Sequence, residues 1–183
     1  MPEFRHDTPR LILRDWREDD WDEFWRVTNT EPVMRWLGGV ANDATRAAAR
    51  ARLESYQADY GHTFWVVERK EDGALLGFCG LKRSNQAGGP QGMMEAGWRL
   101  REDAWGLGYA KEAAAASLAL AFDRFGADEV IALTVENNRA SWGLMLRLGM
   151  ERREDLDFAS PDFDPDDPRI IAYAITRERW LTS

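Results

Sequence analysis

Apolar residues recur along this chain in two rhythms, and glycine, proline or acidic clusters mark the places where the rhythm changes. Arg10–Trp16 (RLILRDW) alternates as a strand does. In EDDWDEFWRVTN, acidic residues open the first turn, and Trp21, Phe24, Trp25 and Thr28 follow at helical spacing. WLGGV breaks that helix. NDATRAAARARLESYQADYG forms a second, capped by Asn42 or Asp43 and stopped by Gly61. TFWVVERKEDGALLGFCGL reads as a hairpin that turns through Glu71-Asp72-Gly73. After the polar loop SNQAGGPQG comes a strand, Met93–Leu100, and REDAWGLG then leads into a long helix reaching about Phe125. There Ala110, Ala113, Ala114, Leu118, Ala121, Phe122 and Phe125 share one broad face. Glu129–Val135 is an apolar, β-branched strand, and NRASWGLMLRL a shorter helix closed by Gly149. MERREDLDF and RIIAYAIT form a final antiparallel pair around the acidic loop ASPDFDPDDP. The order β-α-α-β-β-β-α-β-α-β-β predicts a mixed α/β fold built on one sheet of about seven strands. With no repeat and no linker, the 183 residues read as one domain, 1–183.

Composition narrows the function classes. Apolar residues at 44% and charged residues at 31% describe an ordered, soluble chain. No apolar run approaches the roughly 20 residues that span a bilayer. MPEFRHDTPR lacks the apolar core of a signal peptide, so the cytoplasm is the expected location, with no membrane partner. Cys79 is the single cysteine, and with only His6 and His62 beside it no spacing resembles a zinc site; no metal is expected. The net charge of −8 argues against a protein that holds nucleic-acid phosphates. It suits an amine-bearing partner, and equally a surface charged for solubility. Of the nine tryptophans, most read as core filler and a few as pocket lining.

One stretch demands more than packing. WGLGYAKEAAAA places two glycines one residue apart directly before strong helix formers, where Ser, Thr or Asp would cap better. Exposed N–H groups at the positive end of a helix form an anion site, and Gly106, Gly108 and Ala110 are small enough to let a pyrophosphate approach the main chain. A P-loop is excluded, because no Gly-Lys-Ser/Thr follows. A Rossmann fingerprint is excluded too: Lys111 stands where a third small residue is required, and the segment lies mid-chain.

MEAGWRLREDAWGLGYAKEA followed by VENNRASWGLMLRLGM resembles the Gcn5-related N-acetyltransferase (GNAT) family, in particular its RimJ/RimL-like branch. The family's Gln/Arg-x-x-Gly-x-Gly/Ala motif is met by Trp105 in the first slot, then Gly108 and Ala110; the second block aligns Asn138, Ser141, Leu148, Gly149 and Met150. TPRLILRDW, EPVMRWLG and GALLGFCGL fit in the same order, so the resemblance covers nearly the whole chain. It implies a mostly antiparallel sheet with helices on both faces, splayed between the fourth and fifth predicted strands.

The resemblance also implies acetyl transfer from acetyl-coenzyme A, a cosubstrate, to an amine within a ternary complex. On that reading the backbone at Leu100 and Arg101 meets the thioester end. The N–H groups of Trp105, Gly106, Leu107, Gly108, Tyr109, Ala110 and Lys111 cradle the pyrophosphate, and Asn138 holds the pantetheine arm. A backbone N–H near the end of the fourth strand stabilises the oxyanion. Freeing an α-amino group of its proton at pH 7 costs about 1 kcal/mol, and a lysine about 4–5 kcal/mol. Glu95 is the candidate base, or else a structural or substrate-anchoring carboxylate. The family's usual acidic Tyr is replaced by Met145, which leaves Ser141 as general acid or as a residue of the helix start. A thiolate near pKa ~8.5 barely needs an acid. RWLGGV with Trp36, the strand around Phe64 and Trp65, and the six aspartates of Asp155–Asp167 flank the acceptor side. The acceptor is a small-molecule or peptide amine: a protein N-terminus, polyamine, aminoglycoside or small metabolite. A homodimer fits the branch. The competing reading is a catalytically silent module that binds coenzyme A.

Overall fold

A computed structural model describes residues 3–160, 162–163 and 166–183. Among them, strands β1 (Arg5–Asp7), β2 (Leu11–Arg14), β3 (Phe64–Arg69), β4 (Leu75–Arg83), β5 (Met94–Leu100), β6 (Glu129–Val135), β7 (Glu151–Arg152), β8 (Phe158–Ala159) and β9 (Arg169–Thr176) make one sheet. Its order is β1-β2-β3-β4-β5-β6-β9-β7, with β8 also on β9. Every pair is antiparallel except β5 with β6. The helices are α1 (Asp20–Thr28), α2 (Glu31–Met34), α3 (Asp43–Tyr60), α4 (Tyr109–Asp123), α5 (Arg139–Arg147) and α6 (Arg177–Thr182).

Nine strands replace the seven expected, for local reasons. Arg5–Asp7 is polar and too short to show a period, and it becomes a strand by pairing with β2. MERREDLDF is not continuous: a 3-10 turn at Glu154–Leu156 divides it into β7 and β8, which both lie on β9. The C-terminal α6, capped by the Thr176 hydroxyl, lies beyond the predicted elements. Asn42 caps α3 by accepting from the Thr45 N–H, and Gly61 ends it.

Two apolar layers hold the sheet between them. On one face Trp65, Val67, Leu76, Leu81, Met94, Ala96 and Leu100 pack with Ala113, Ala114, Leu118, Ala121 and Phe122 of α4 and Leu144 and Met145 of α5. On the other, Val66, Leu75 and Phe78 meet Trp21, Phe24 and Trp25 of α1 and Leu53 and Tyr56 of α3. Alternation along each strand makes this division. Helix α4 is buried around more of its circumference than its predicted stripe, since Ala116, Ser117 and Leu120 are covered as well. Its alanines let it lie close to the sheet: Ser117 Oγ comes within 3.6 Å of Cys79 Sγ. At the start of α1, Asp20 accepts from the Arg17 N–H and from both Nη atoms of buried Arg14, which also pairs with Glu68.

Candidate active site

The site begins as a defect in the sheet. Strands β5 and β6 are in register only at Met94–Val130 and Glu95–Ile131. Beyond those pairs, β5 continues on β4 and β6 on β9, with a wedge between them. The Arg101 N–H donates to Leu76 O at 2.7 Å, and the Ser84 N–H to Met93 O at 2.9 Å. Antiparallel alternation therefore turns the main-chain groups of residues 95, 97 and 99 toward β4 and those of Ala96, Trp98 and Leu100 into the wedge. Leu100 thus faces the gap, with its carbonyl taken by Trp105 Nε1–H at 2.9 Å. Arg101 does not: its N–H belongs to the sheet and its guanidinium to Asp103.

Because β5 and β6 are parallel, the helices that follow them both start at the open end of the wedge. Gly106 and Gly108 have φ of 72° and 81°, a left-handed geometry that glycine adopts without strain. Gly108 is the N-cap residue of α4 and provides no side-chain cap. Among the described residues, no acceptor takes the N–H groups of residues 106–111. These donors and the helix dipole favour an anion there. The loop is clamped from outside by Glu112, which accepts from Thr8 Oγ1 at 2.6 Å, the Arg10 N–H at 2.7 Å and Arg10 Nε at 2.7 Å. Arg10 also donates to Leu107 O and covers the Tyr109 ring. Burial works to raise the Glu112 pKa, yet these bonds outweigh it and hold the pKa below the usual value. Lys111 is exposed and forms no ion pair among the described residues. Across the wedge, Asn138 caps α5 by accepting the Ser141 N–H at 3.4 Å, and its amide NH2 has no partner among the described residues. The Ser141 hydroxyl has no partner among the described residues, and Met145 is buried.

Glu95 lies at the vertex of the wedge, with its side chain on the α1/α3 face. It is buried, and Lys82, opposite it on β4, brings Nζ to 3.6 Å from Oε2. Lys82 also donates to Asn85 Oδ1 at 3.3 Å, and the Asn85 amide donates to the Tyr56 hydroxyl at 3.3 Å. Burial raises the Glu95 pKa above the carboxylate range, and the Lys82 charge pulls it back only in part.

The acceptor-side expectations fare unevenly. Trp65 is fully enclosed in the α4-side core, stacked on Phe4, so it lines no acceptor surface. The neighbouring Phe64 takes the other face, its ring lying where a Cβ on Gly97 would stand, 2.7 Å away. Trp36 lies under the Arg35 guanidinium in a loop whose Gly38 N–H donates to Phe163 O, so RWLGGV and the acidic loop do meet. Asp164 lies outside the described residues. Lys82, Asn85, Tyr56, Arg10 and Glu112 were not anticipated, and cross-strand register is what brings Lys82 to Glu95. Two depressions flank α1, of about 420 Å³ beside Trp21 and Arg46 and about 440 Å³ beside Thr30 and Arg101; neither reaches Glu95 or the glycines. Burial pushes the Cys79 thiol up to about 12, so no thiolate is available at neutral pH. Among the described residues no cluster of three metal-ligating side chains occurs, and no helix is long and apolar enough to cross a membrane.

Residues 10–151 match the acetyltransferase (GNAT) domain family. The chain belongs to that family. Within it, this GNAT protein is 29% identical over 174 residues to the N-acetyltransferase YnaD of Bacillus subtilis, covering 94% of this chain and 97% of YnaD. It is 40% identical over 91 residues to the FsC-acetyl coenzyme A-N(2)-transacetylase of Aspergillus fumigatus, a match to 48% of this chain and 37% of that enzyme. In fold, the GNAT chain resembles an acetyltransferase from Agrobacterium tumefaciens with a TM-score of 0.78 at 23% identity, covering 97% of this chain and 95% of that one.

Proposed function

We propose that this GNAT protein is a RimJ/RimL-like N-acetyltransferase that moves an acetyl group from acetyl-coenzyme A to an amine, and that it works in the cytoplasm as one domain. The observation that carries this reading is the pairing of an open wedge with free N–H groups at the α4 start. The donor set suits the cofactor, since Gly106, Gly108 and their neighbours offer main-chain N–H groups to a diphosphate and a Cβ at Gly106 would meet nothing within 4 Å. Trp105, Leu107, Tyr109, Ala110 and Lys111 complete that cradle, with the Asn138 amide on the far wall. Acetyl-coenzyme A supplies the acyl group as a thioester.

An arm that enters at the glycines and runs along β5 passes Leu100 first and brings its reactive end toward Glu95. Ala96 and Trp98 turn main-chain groups into that part of the wedge, where an N–H can donate to a carbonyl oxygen that gains charge. Glu95 takes the proton the amine sheds as the C–N bond forms and the C–S bond breaks. The sulfur departs as a thiolate, with the Ser141 hydroxyl as its candidate proton donor. The test is a thiol-release screen against peptides, polyamines, aminoglycosides and small amines, with products weighed by mass spectrometry. Acceptor-dependent release with an added acetyl group is expected. Binding of acetyl-coenzyme A without release on any acceptor would instead establish the silent module.

A further inference from the structure

Among the described residues, Arg99 is a cation without a counter-ion. It projects from β5 on the same face as Glu95, two residues beyond Gly97, and its guanidinium lies 5.0 Å from the centre of the Phe78 ring, 5.7 Å from Phe24 and 5.8 Å from Trp25. Its Nε is enclosed and meets no hydrogen-bond acceptor, while the residue as a whole keeps part of its surface open. Among the described residues it forms no ion pair. The charged group that acts on it is a second cation, Arg52 of α3, which is exposed and likewise unpaired among the described residues. Burial holds the Arg99 guanidinium down to about 10, and Arg52 pushes it the same way; at neutral pH it is still charged. Most other arginines here are matched to acids, Arg14 and Arg50 to two each. An enclosed donor with no acceptor is costly and calls for a partner from outside the chain.

We propose that Arg99, with Arg52, binds a carboxylate of the acceptor, so that the substrate is an amine bearing an anionic group rather than a polyamine or aminoglycoside. This rests on the acetyl-transfer reading and deepens it. Tyr56, linked through Asn85 and Lys82 to Glu95, marks the amine end of the α3-flanked face, and Arg52 lies one turn before Tyr56 on the same helix. Four residues separate Glu95 from Arg99 along the strand, about 13 Å. An elongated acceptor such as a short peptide spans that distance, with the Phe64 ring over Gly97 as an apolar floor between the ends. A polycation would meet two unpaired arginines and be repelled.

The test uses glycine oligomers of two to five residues, each as the free acid and as the C-terminal amide, with spermidine as the polycation. At one length the free acid should exceed its amide in kcat/KM by about tenfold or more, the worth of a charge-assisted pair. Arg99→Met should erase that preference by lowering the rate on the acid far more than on the amide, with acetyl-coenzyme A affinity unchanged, and Arg99→Lys should restore part of it. No acid preference at any length, a preference that survives Arg99→Met, or an equal loss on acid and amide would each overturn the proposal. The last outcome would make Arg99 a support for the aromatic cluster. Calorimetric titration of the same peptides with coenzyme A present separates the two readings. An acid preference in binding without turnover upholds the anion site and sinks acetyl transfer; equal binding of acid and amide sinks the anion site alone.

Discussion

Replacing Lys82 by Met should move the pH dependence of the reaction in a direction fixed by the geometry. Glu95 accepts a proton only when ionised. Burial raises its pKa, and the Lys82 ammonium, 3.6 Å from Oε2, opposes that rise. At that distance two unit charges interact with about 4–5 kcal/mol at an effective permittivity near 20, and about 1 kcal/mol at that of water. Without the cation, the carboxyl group holds its proton to higher pH. The acidic limb of kcat/KM should then shift upward by at least about one pH unit. The rate in mild acid falls, and alkaline conditions recover it. Lys82→Arg keeps the charge and should leave the limb near its wild-type position. Initial rates of thiol release, read with a disulfide reagent that stays reactive in acid, measure the shift. If Lys82→Met and Glu95→Gln both leave the limb where it is, Glu95 is not the titrating group and the base assignment is wrong.

Other substitutions probe the remaining parts. Gly106→Ala and Gly108→Ala each force a left-handed φ on a side chain, costing about 1–2 kcal/mol in denaturant unfolding. No protein atom lies within 4 Å of a Cβ at Gly106, and only the flexible Arg10 tip does at Gly108, so a loss of acetyl-coenzyme A affinity beyond that strain would report a ligand against the backbone. Asp20→Ala leaves Arg14 buried with Glu68 as its remaining acid, and should cost up to about 3–5 kcal/mol by urea denaturation. Burial works to raise the Asp20 pKa, but the bonds from Arg14 and Arg17 outweigh it, so the folded pKa is depressed. Its stabilisation is therefore present above the unfolded aspartate pKa and lost as pH falls through the folded value. Trp65→Ala should lower stability by about 3–5 kcal/mol, and the acceptor KM of the folded fraction should stay unchanged, as suits a core residue.

The parts legible in the sequence are those that local chemistry determines. The Gly106/Gly108 turn, the Asn42 cap and the order of the main elements along the chain follow from spacing and residue type, and each lies where expected. Trp65 was misplaced because TFWVV is a continuous apolar run covered on both faces, which gives no alternation to say which side each ring takes. Strand β1 is polar and held by main-chain pairing, so its side chains carry little signal. Lys82 and Arg99 acquire meaning only through cross-strand register and packing against α1, both long-range properties. Their pattern, a buried cation beside an acid and a half-buried cation beside none among the described residues, is a feature of the folded chain.

Calorimetric titration of the protein with acetyl-coenzyme A tests most directly whether the wedge and the α4 start form a cofactor site. One saturable site with sub-millimolar affinity, weakened by Gly106→Ala, is the predicted result. An absence of saturable heat in that range from folded protein would contradict it.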